Sequence, residues 1–124
     1  ALTVAGSDCS GGAGVQADLR TFAGVGVHGA SVVTCVTAQT PDAVTAIQSA
    51  KSDVVEAQLD AVFDCLPVSA VKTGMLFSRP IIDAVAKRLA NQDNQKENQS
   101  LSHQYASYLM VTGTGTNSAD LRFS

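Results

Sequence analysis

Tryptophan is absent from the 124 residues and aromatic side chains make up only 5% of them, so a core has to be built from Val, Leu, Ile and Ala. Charge is equally sparse, at 15% of residues with a net charge of −3, and no basic stripe or patch occurs. Nucleic acid and anionic membrane surfaces are thereby excluded as partners, which leaves a small molecule or another protein. No apolar run reaches the roughly eighteen residues needed to cross a bilayer, and no charged, apolar, small-residue signal peptide opens the chain, so a cytoplasmic address is expected. Cys9, Cys35 and Cys65 are odd in number and widely spaced, which fits neither a disulfide framework nor a zinc cluster, and no metal site is expected. Cys35 and Cys65 read as buried small hydrophobes and Cys9 as a loop cysteine.

What the chain has in quantity is hydrophobic residues, at 45%, too many for intrinsic disorder and enough for one small domain. Its most informative stretch is Ala5–Asp18, AGSDCSGGAGVQAD. An apolar strand, Leu2–Ala5, precedes it and an amphipathic helix follows, so the glycines fall between the carboxyl end of a strand and the amino end of a helix. Ligands of α/β proteins bind at such places. Gly11, Gly12 and Gly14 allow sharp turning and close approach of backbone to a ligand. Ser7, Asp8 and Ser10 are capping and turn residues. Gly12, Gly14 and Ala17 satisfy G-x-G-x-x-A, but the dinucleotide fingerprint places its first glycine directly after the strand and an acid at the end of the second strand. Here six residues separate Ala5 from Gly12 and the second strand ends in Gln39, so a Rossmann-type cofactor module is a poor fit. No Lys follows the glycines, which excludes a Walker A loop.

Val15, Leu19 and Phe22 then recur at helical spacing, until Gly24, Gly26 and Gly29 end the helix. Asp18 borders that stripe, and by spacing alone it is a solvated helical Asp. Ala30–Ala38, ASVVTCVTA, has the unbroken apolar and β-branched character of a central parallel strand covered on both faces. Gln39 closes it, and reads as a loop amide that offers one acceptor and two donors. Val44–Ser49 forms a short β element. Ser52 is the expected N-cap of a helix whose buried face is Val55, Leu59, Val62, Phe63 and Leu66. Ala70–Lys72 reads as a third core strand, with Met75 and Leu76 at its carboxyl end, while Lys72 reads as a solvent-facing or structural lysine. Ser78 caps a third helix with Ile81, Ile82, Val85 and Leu89 as its stripe. Three β-to-α units in succession imply a parallel sheet flanked by helices. Residues 91–104 form a polar connection, and 105–124 a strand at Tyr105–Thr112 and a tail.

The string Gly6, Ser7, Asp8, Ser10, Gly11, Gly12, Ala13, Gly14, continuing through Gln16, Ala17, Asp18, Leu19, Thr21 and Phe22, resembles the amino-terminal signature of the hydroxymethylpyrimidine and phosphomethylpyrimidine kinases of thiamine biosynthesis. Ala38, Gln39, Thr40 and Lys72–Leu76 continue the resemblance, which covers residues 1–90 of one partial domain. It implies a three-layer ribokinase-like α/β fold of which this is the amino-terminal half. It also implies ATP-dependent phosphorylation, with Mg2+, of 4-amino-5-hydroxymethyl-2-methylpyrimidine and its monophosphate. Among the residues that match, Gly6 would abut the ring, Asp18 would accept from the hydroxymethyl group, Gln39 would pair with the aminopyrimidine edge and Met75 would pack on it. Residues 40–50 would form a flap over the site. Ser107 and Tyr108 stand where the family has Asp and Pro. Gly113, Thr114 and Gly115 resemble its anion hole but fit an ordinary turn better. The catalytic groups are expected in the second half, so the chain alone should not catalyse the transfer. A pyridoxal kinase-like enzyme is the alternative chemistry, and a non-catalytic binding subunit the alternative class. A half-fold leaves sheet edges and helix faces uncovered, which favours a homodimer.

Overall fold

A computed structural model describes residues 1–99, and side chains as far as Gln92. The elements in chain order are β1 (Leu2–Ala5), α1 (Gly14–Gly24), β2 (Ala30–Val33), β3 (Cys35–Gln39), β4 (Val44–Ser49), α2 (Ser52–Cys65), β5 (Val71–Thr73) and α3 (Arg79–Gln99). The expected strand Tyr105–Thr112 and the turn at Gly113–Gly115 lie outside the described residues. Strands β2, β1 and β5 form a parallel sheet in that order, with Val4 opposite both Val32 and Thr73. The middle strand of the described sheet is therefore β1, not the Ala30–Ala38 run.

Period-two alternation divides each strand between two layers. Leu2, Val4, Val32 and Val71 join Val55, Leu59 and Phe63 of α2 and Ile81 and Val85 of α3 in one core. Each such side chain contributes roughly 1.5–3 kcal/mol on leaving water. Thr3 lies on the other face, where α1 packs with Val15 buried and Leu19 and Phe22 half-buried. The aliphatic core inferred from composition is thus present, with Phe63 as its one aromatic. Cys65 is exposed, contrary to expectation, because it falls two residues beyond Phe63 on the opposite side of α2 from the Val55–Leu59–Phe63 stripe.

Ala30–Ala38 is not one strand. Thr34 breaks it: its N–H donates to Ala5 O at 3.0 Å and its carbonyl accepts from Ala50 N at 2.9 Å. Its hydroxyl donates to the Met75 carbonyl at 2.6 Å. Beyond it, β3 pairs antiparallel with β4 as a separate two-stranded flap, with Thr37 opposite Ile47. β4 is exposed along its whole length, and Val36 of β3 is 60% exposed. No residue from Ala30 to Cys35 is exposed, whereas Val36 and Ala38 are, and composition does not reveal that switch.

Two helix boundaries also differ. Lys51, not Ser52, occupies the N-cap of α2, with no side-chain capping bond. The polar stretch 91–99 continues α3 rather than forming an irregular connection, since Asn, Gln, Glu and Lys have sufficient helix propensity. Among the described residues no helix is long and apolar enough to cross a membrane.

Candidate functional site

β1 delivers the chain to Gly6 at the carboxyl edge of the sheet, and the following loop is tied down before it becomes a helix. Val15 N donates to Gly6 O at 3.0 Å, which seats the first turn of α1 on the strand end. Gly14 has φ 60°, and a Cβ there would lie 2.6 Å from Gly6 O and 2.8 Å from Asp8 N, so this position requires glycine on both counts. None of Ser7, Asp8 or Ser10 occupies the N-cap of α1; Ala13 does, and the capping is done from a distance. The Asp8 carboxylate, 2% exposed, accepts from Ser10 N at 2.9 Å, Ser10 Oγ at 2.8 Å and Ala13 N at 2.7 Å. The Ser10 hydroxyl, with the backbone amides assisting, holds its carboxyl below the usual carboxylate range against the opposing effect of burial. Gln16 Oε1 accepts from Asp8 N at 2.9 Å, and the Arg20 guanidinium donates to Gly11 O. Asp8 is thus the hub of the glycine loop, a role foreshadowed only by the Asp-x-Ser turn pattern.

The flap is stitched to this loop. Ser7 N donates to Cys35 O at 2.9 Å, and Thr37 returns two bonds, its N–H to Ser7 Oγ at 3.1 Å and its hydroxyl to Ser7 O at 2.7 Å. Cys9 Sγ lies 3.2 Å from Gln39 N and 3.1 Å from Gln39 O. Gln39 is half-buried at the end of β3, its side-chain oxygen 3.3 Å from Thr37 Oγ1. Its two amide N–H donors have no partner among the described residues.

Met75 approaches Gly6 from β5. A Cβ on Gly6 would stand 3.1 Å from Met75 Cε and 2.7 Å from Cys35 Sγ, so a glycine is what lets these two sulfur-bearing side chains close on the strand end. Burial pushes the Cys35 thiol up, which keeps it neutral and unreactive. The loop bearing Met75 is held by Gly74 N on Val4 O at 2.9 Å, by the Thr34 hydroxyl on Met75 O, and by Ser78 N on Leu76 O at 2.8 Å. Phe77 adopts φ 69°, a left-handed conformation that costs a bulky residue about 1–2 kcal/mol, so these bonds hold the loop in a shape its sequence does not favour.

Asp18 reaches from α1 to the sheet. Its carboxylate accepts from Thr3 Oγ1 at 2.6 Å and lies 2.7 and 2.9 Å from Lys72 Nζ. Lys72 is therefore not merely solvent-facing. The signal available in the sequence was its position between Val71 and Thr73, where a covered strand face demands an anion for an ammonium. Of the four expected site residues, Gly6 and Met75 meet directly and Gln39 joins the same loop through Cys9, whereas Asp18 lies on the α1 face of the sheet, occupied by Thr3 and Lys72. Among the described residues no group of three or more His, Cys, Asp or Glu could hold a metal ion.

Comparison with known proteins places this geometry in a lineage. The family model described as phosphomethylpyrimidine kinase matches residues 8–116. The hydroxymethylpyrimidine/phosphomethylpyrimidine kinase of Rhizobium meliloti is 54% identical over 89 residues, covering 72% of this chain and 34% of that protein. That of Escherichia coli is 48% identical over 89 residues, with the same coverage of each. The chain spans about a third of the length of the curated relatives it matches. Among solved structures, phosphomethylpyrimidine kinase from Clostridium difficile superposes with a TM-score of 0.72 at 44% identity, over 74% of this chain and 40% of that one. A pyridoxal kinase from Bacillus subtilis, solved as an ADP complex, gives 0.68 at 40% identity, over 74% of this chain and 36% of its own.

Proposed function

The chain belongs to the phosphomethylpyrimidine kinase family, with its ribokinase-like fold, and we propose that it carries the substrate-recognition half of a hydroxymethylpyrimidine/phosphomethylpyrimidine kinase. In the complete enzyme ATP with Mg2+ phosphorylates the hydroxymethyl group of 4-amino-5-hydroxymethyl-2-methylpyrimidine, and then the resulting monophosphate. Gly6 abuts the ring, Met75 packs on its face, Gln39 pairs with the aminopyrimidine edge and Asp18 accepts from the hydroxymethyl group. The observation that carries this reading is the approach of the Met75 thioether to a residue without a side chain, together with a glutamine, tied to the same loop through Cys9, whose amide donors have no partner among the described residues. A flexible, polarisable sulfur side chain and a bare backbone make a slot for a flat heterocycle, and the amide supplies the directional contacts.

Phosphoryl transfer is mainly positioning and electrostatic stabilisation around the transferring group. The described residues present neither a cluster of metal ligands nor a Walker A loop, so no catalytic step is assigned to them. The chain by itself is accordingly expected to bind and not to turn over. Calorimetric titration of the chain with the hydroxymethylpyrimidine tests this, and saturable binding is the expected result. Replacing Gln39 by Leu removes the paired amide and should weaken binding by roughly 1–3 kcal/mol; unchanged affinity takes Gln39 out of the site.

The likeness to pyridoxal kinases favours a second substrate class, and direct competition between pyridoxal and the pyrimidine separates the two. The exposed Val36, Val44 and Ile47 of the flap favour a homodimer, which would equally suit a non-catalytic binding subunit. A monomer by light scattering at high protein concentration removes that part of the proposal.

A further inference from the structure

Lys72 and Thr3 sit side by side on neighbouring strands, in register across the β1–β5 pair. Three donations converge from them on one carboxylate: Thr3 Oγ1 to Asp18 Oδ2 at 2.6 Å, and Lys72 Nζ to Oδ2 at 2.7 Å and to Oδ1 at 2.9 Å. Oδ2 thus receives two donors and Oδ1 one, so Oδ1 keeps a lone pair for a further donor. The pair is sheltered without being sealed off, with side-chain exposures of 31% for Lys72 and 16% for Asp18. Its surroundings are rigid on the sheet side. Gly74 keeps the space beside the ammonium clear, since a Cβ there would meet Ala5 Cβ at 2.8 Å and Lys72 Nζ at 3.5 Å. Without this clamp the Asp18 side chain would be free to change rotamer and turn its oxygens away from the strands.

We propose that Lys72 is a positioning residue which, with Thr3, fixes the Asp18 carboxylate so that the free lone pair of Oδ1 reads a ligand hydroxyl. The inference rests on the reading of Asp18 as acceptor for the hydroxymethyl group, and adds to it the residue that makes the acceptor selective. A preorganised acceptor gains the full hydrogen bond because the ordering entropy has already been spent in folding. The consequence is confined to ligands that carry the hydroxyl. A merely structural ion pair would affect all ligands of the site alike.

The test compares two probes by calorimetry on the 124-residue chain: 4-amino-5-hydroxymethyl-2-methylpyrimidine, and 4-amino-2,5-dimethylpyrimidine, which lacks only the hydroxyl. The chain should prefer the hydroxymethyl ligand by roughly tenfold or more, the value of a hydrogen bond to a charged group. Lys72→Met should bring that ratio close to one while leaving the affinity for the dimethyl ligand within about twofold, and Lys72→Arg should restore part of the preference. Thr3→Val should reduce the ratio in the same selective way, and with Lys72→Arg it carries the test should Lys72→Met fail to fold in a thermal melt. An unchanged ratio in Lys72→Met or Thr3→Val overturns the proposal, as does a parallel loss for both ligands. Equal affinity of the unaltered chain for both probes overturns it too, while leaving the pyrimidine reading of Gly6, Gln39 and Met75 in place. Binding of neither probe removes that reading together with this one.

Discussion

Substituting Gly6 by Ala adds one methyl group at the point where the strand end, Cys35 and Met75 converge. The added carbon would stand 2.7 Å from Cys35 Sγ and 3.1 Å from Met75 Cε. Contacts of this kind are comfortable from about 3.5 Å, so the thiol would have to retreat by roughly 0.8 Å and the methionine by roughly 0.4 Å. The two neighbours differ in how easily they give way. Met75 is 45% exposed on an unbranched side chain, whereas Cys35 is 1% exposed and its carbonyl is bonded to Ser7 N. The clash therefore resides with Cys35. Overpacking at such a place costs about 1–3 kcal/mol. The smaller entropy of an unfolded chain with Ala in place of Gly returns about 0.4–1 kcal/mol. A net destabilisation of roughly 0–2.6 kcal/mol follows, readable as a lowered urea midpoint at constant slope. The informative comparison is with Cys35→Ala and the double variant. Removing Sγ should take most of the cost of Gly6→Ala away, giving a coupling energy of about 1–2 kcal/mol in a double-mutant cycle. If Gly6→Ala were equally costly in the Cys35→Ala background, the steric account of Gly6 would be refuted.

The other glycine contact is of a harder kind. Gly14→Ala would drive a methyl into Gly6 O at 2.6 Å at a φ of 60°, with backbone atoms and no flexible side chain in the way, so it should cost more than Gly6→Ala and should not be rescued by Cys35→Ala in the same denaturation assay. Asp8 has a carboxyl lowered from 3.8 in the folded chain, so its contribution to stability is fully present above that value and is lost as pH falls through the lower folded pKa. Asp8→Asn should therefore reduce stability near neutral pH and flatten the acid limb of urea midpoints taken below pH 3.8, and an unchanged acid limb would remove Asp8 as the loop's organiser. Alkylation followed by mass spectrometry should modify the exposed Cys9 and Cys65 in the native chain and spare Cys35 until denaturant is added, because burial both shields that thiol and raises its pKa.

The sequence by itself determined the strand–loop–helix opening, because an apolar tetrapeptide followed by Gly11, Gly12 and Gly14 and a Val15–Leu19–Phe22 stripe admits few other local structures. It also determined the parallel arrangement, since the short strands alternate with amphipathic helices. Periodicity is a property of neighbours along the chain, and these features depend on nothing else. What tertiary structure decided is where a pattern stops applying. Thr34 ends a strand that looks continuous in sequence, because its partners are Ala5, Met75 and Ala50, and only the three-dimensional packing brings those together. Cys65 follows a buried stripe and is still exposed, since α2 turns it away from the sheet. Lys72 and Asp18 lie 54 positions apart, and no local rule connects them. Their meeting needs β1 and β5 to be adjacent and α1 to lie across them, and on that long-range contact the Lys72–Asp18 ion pair depends.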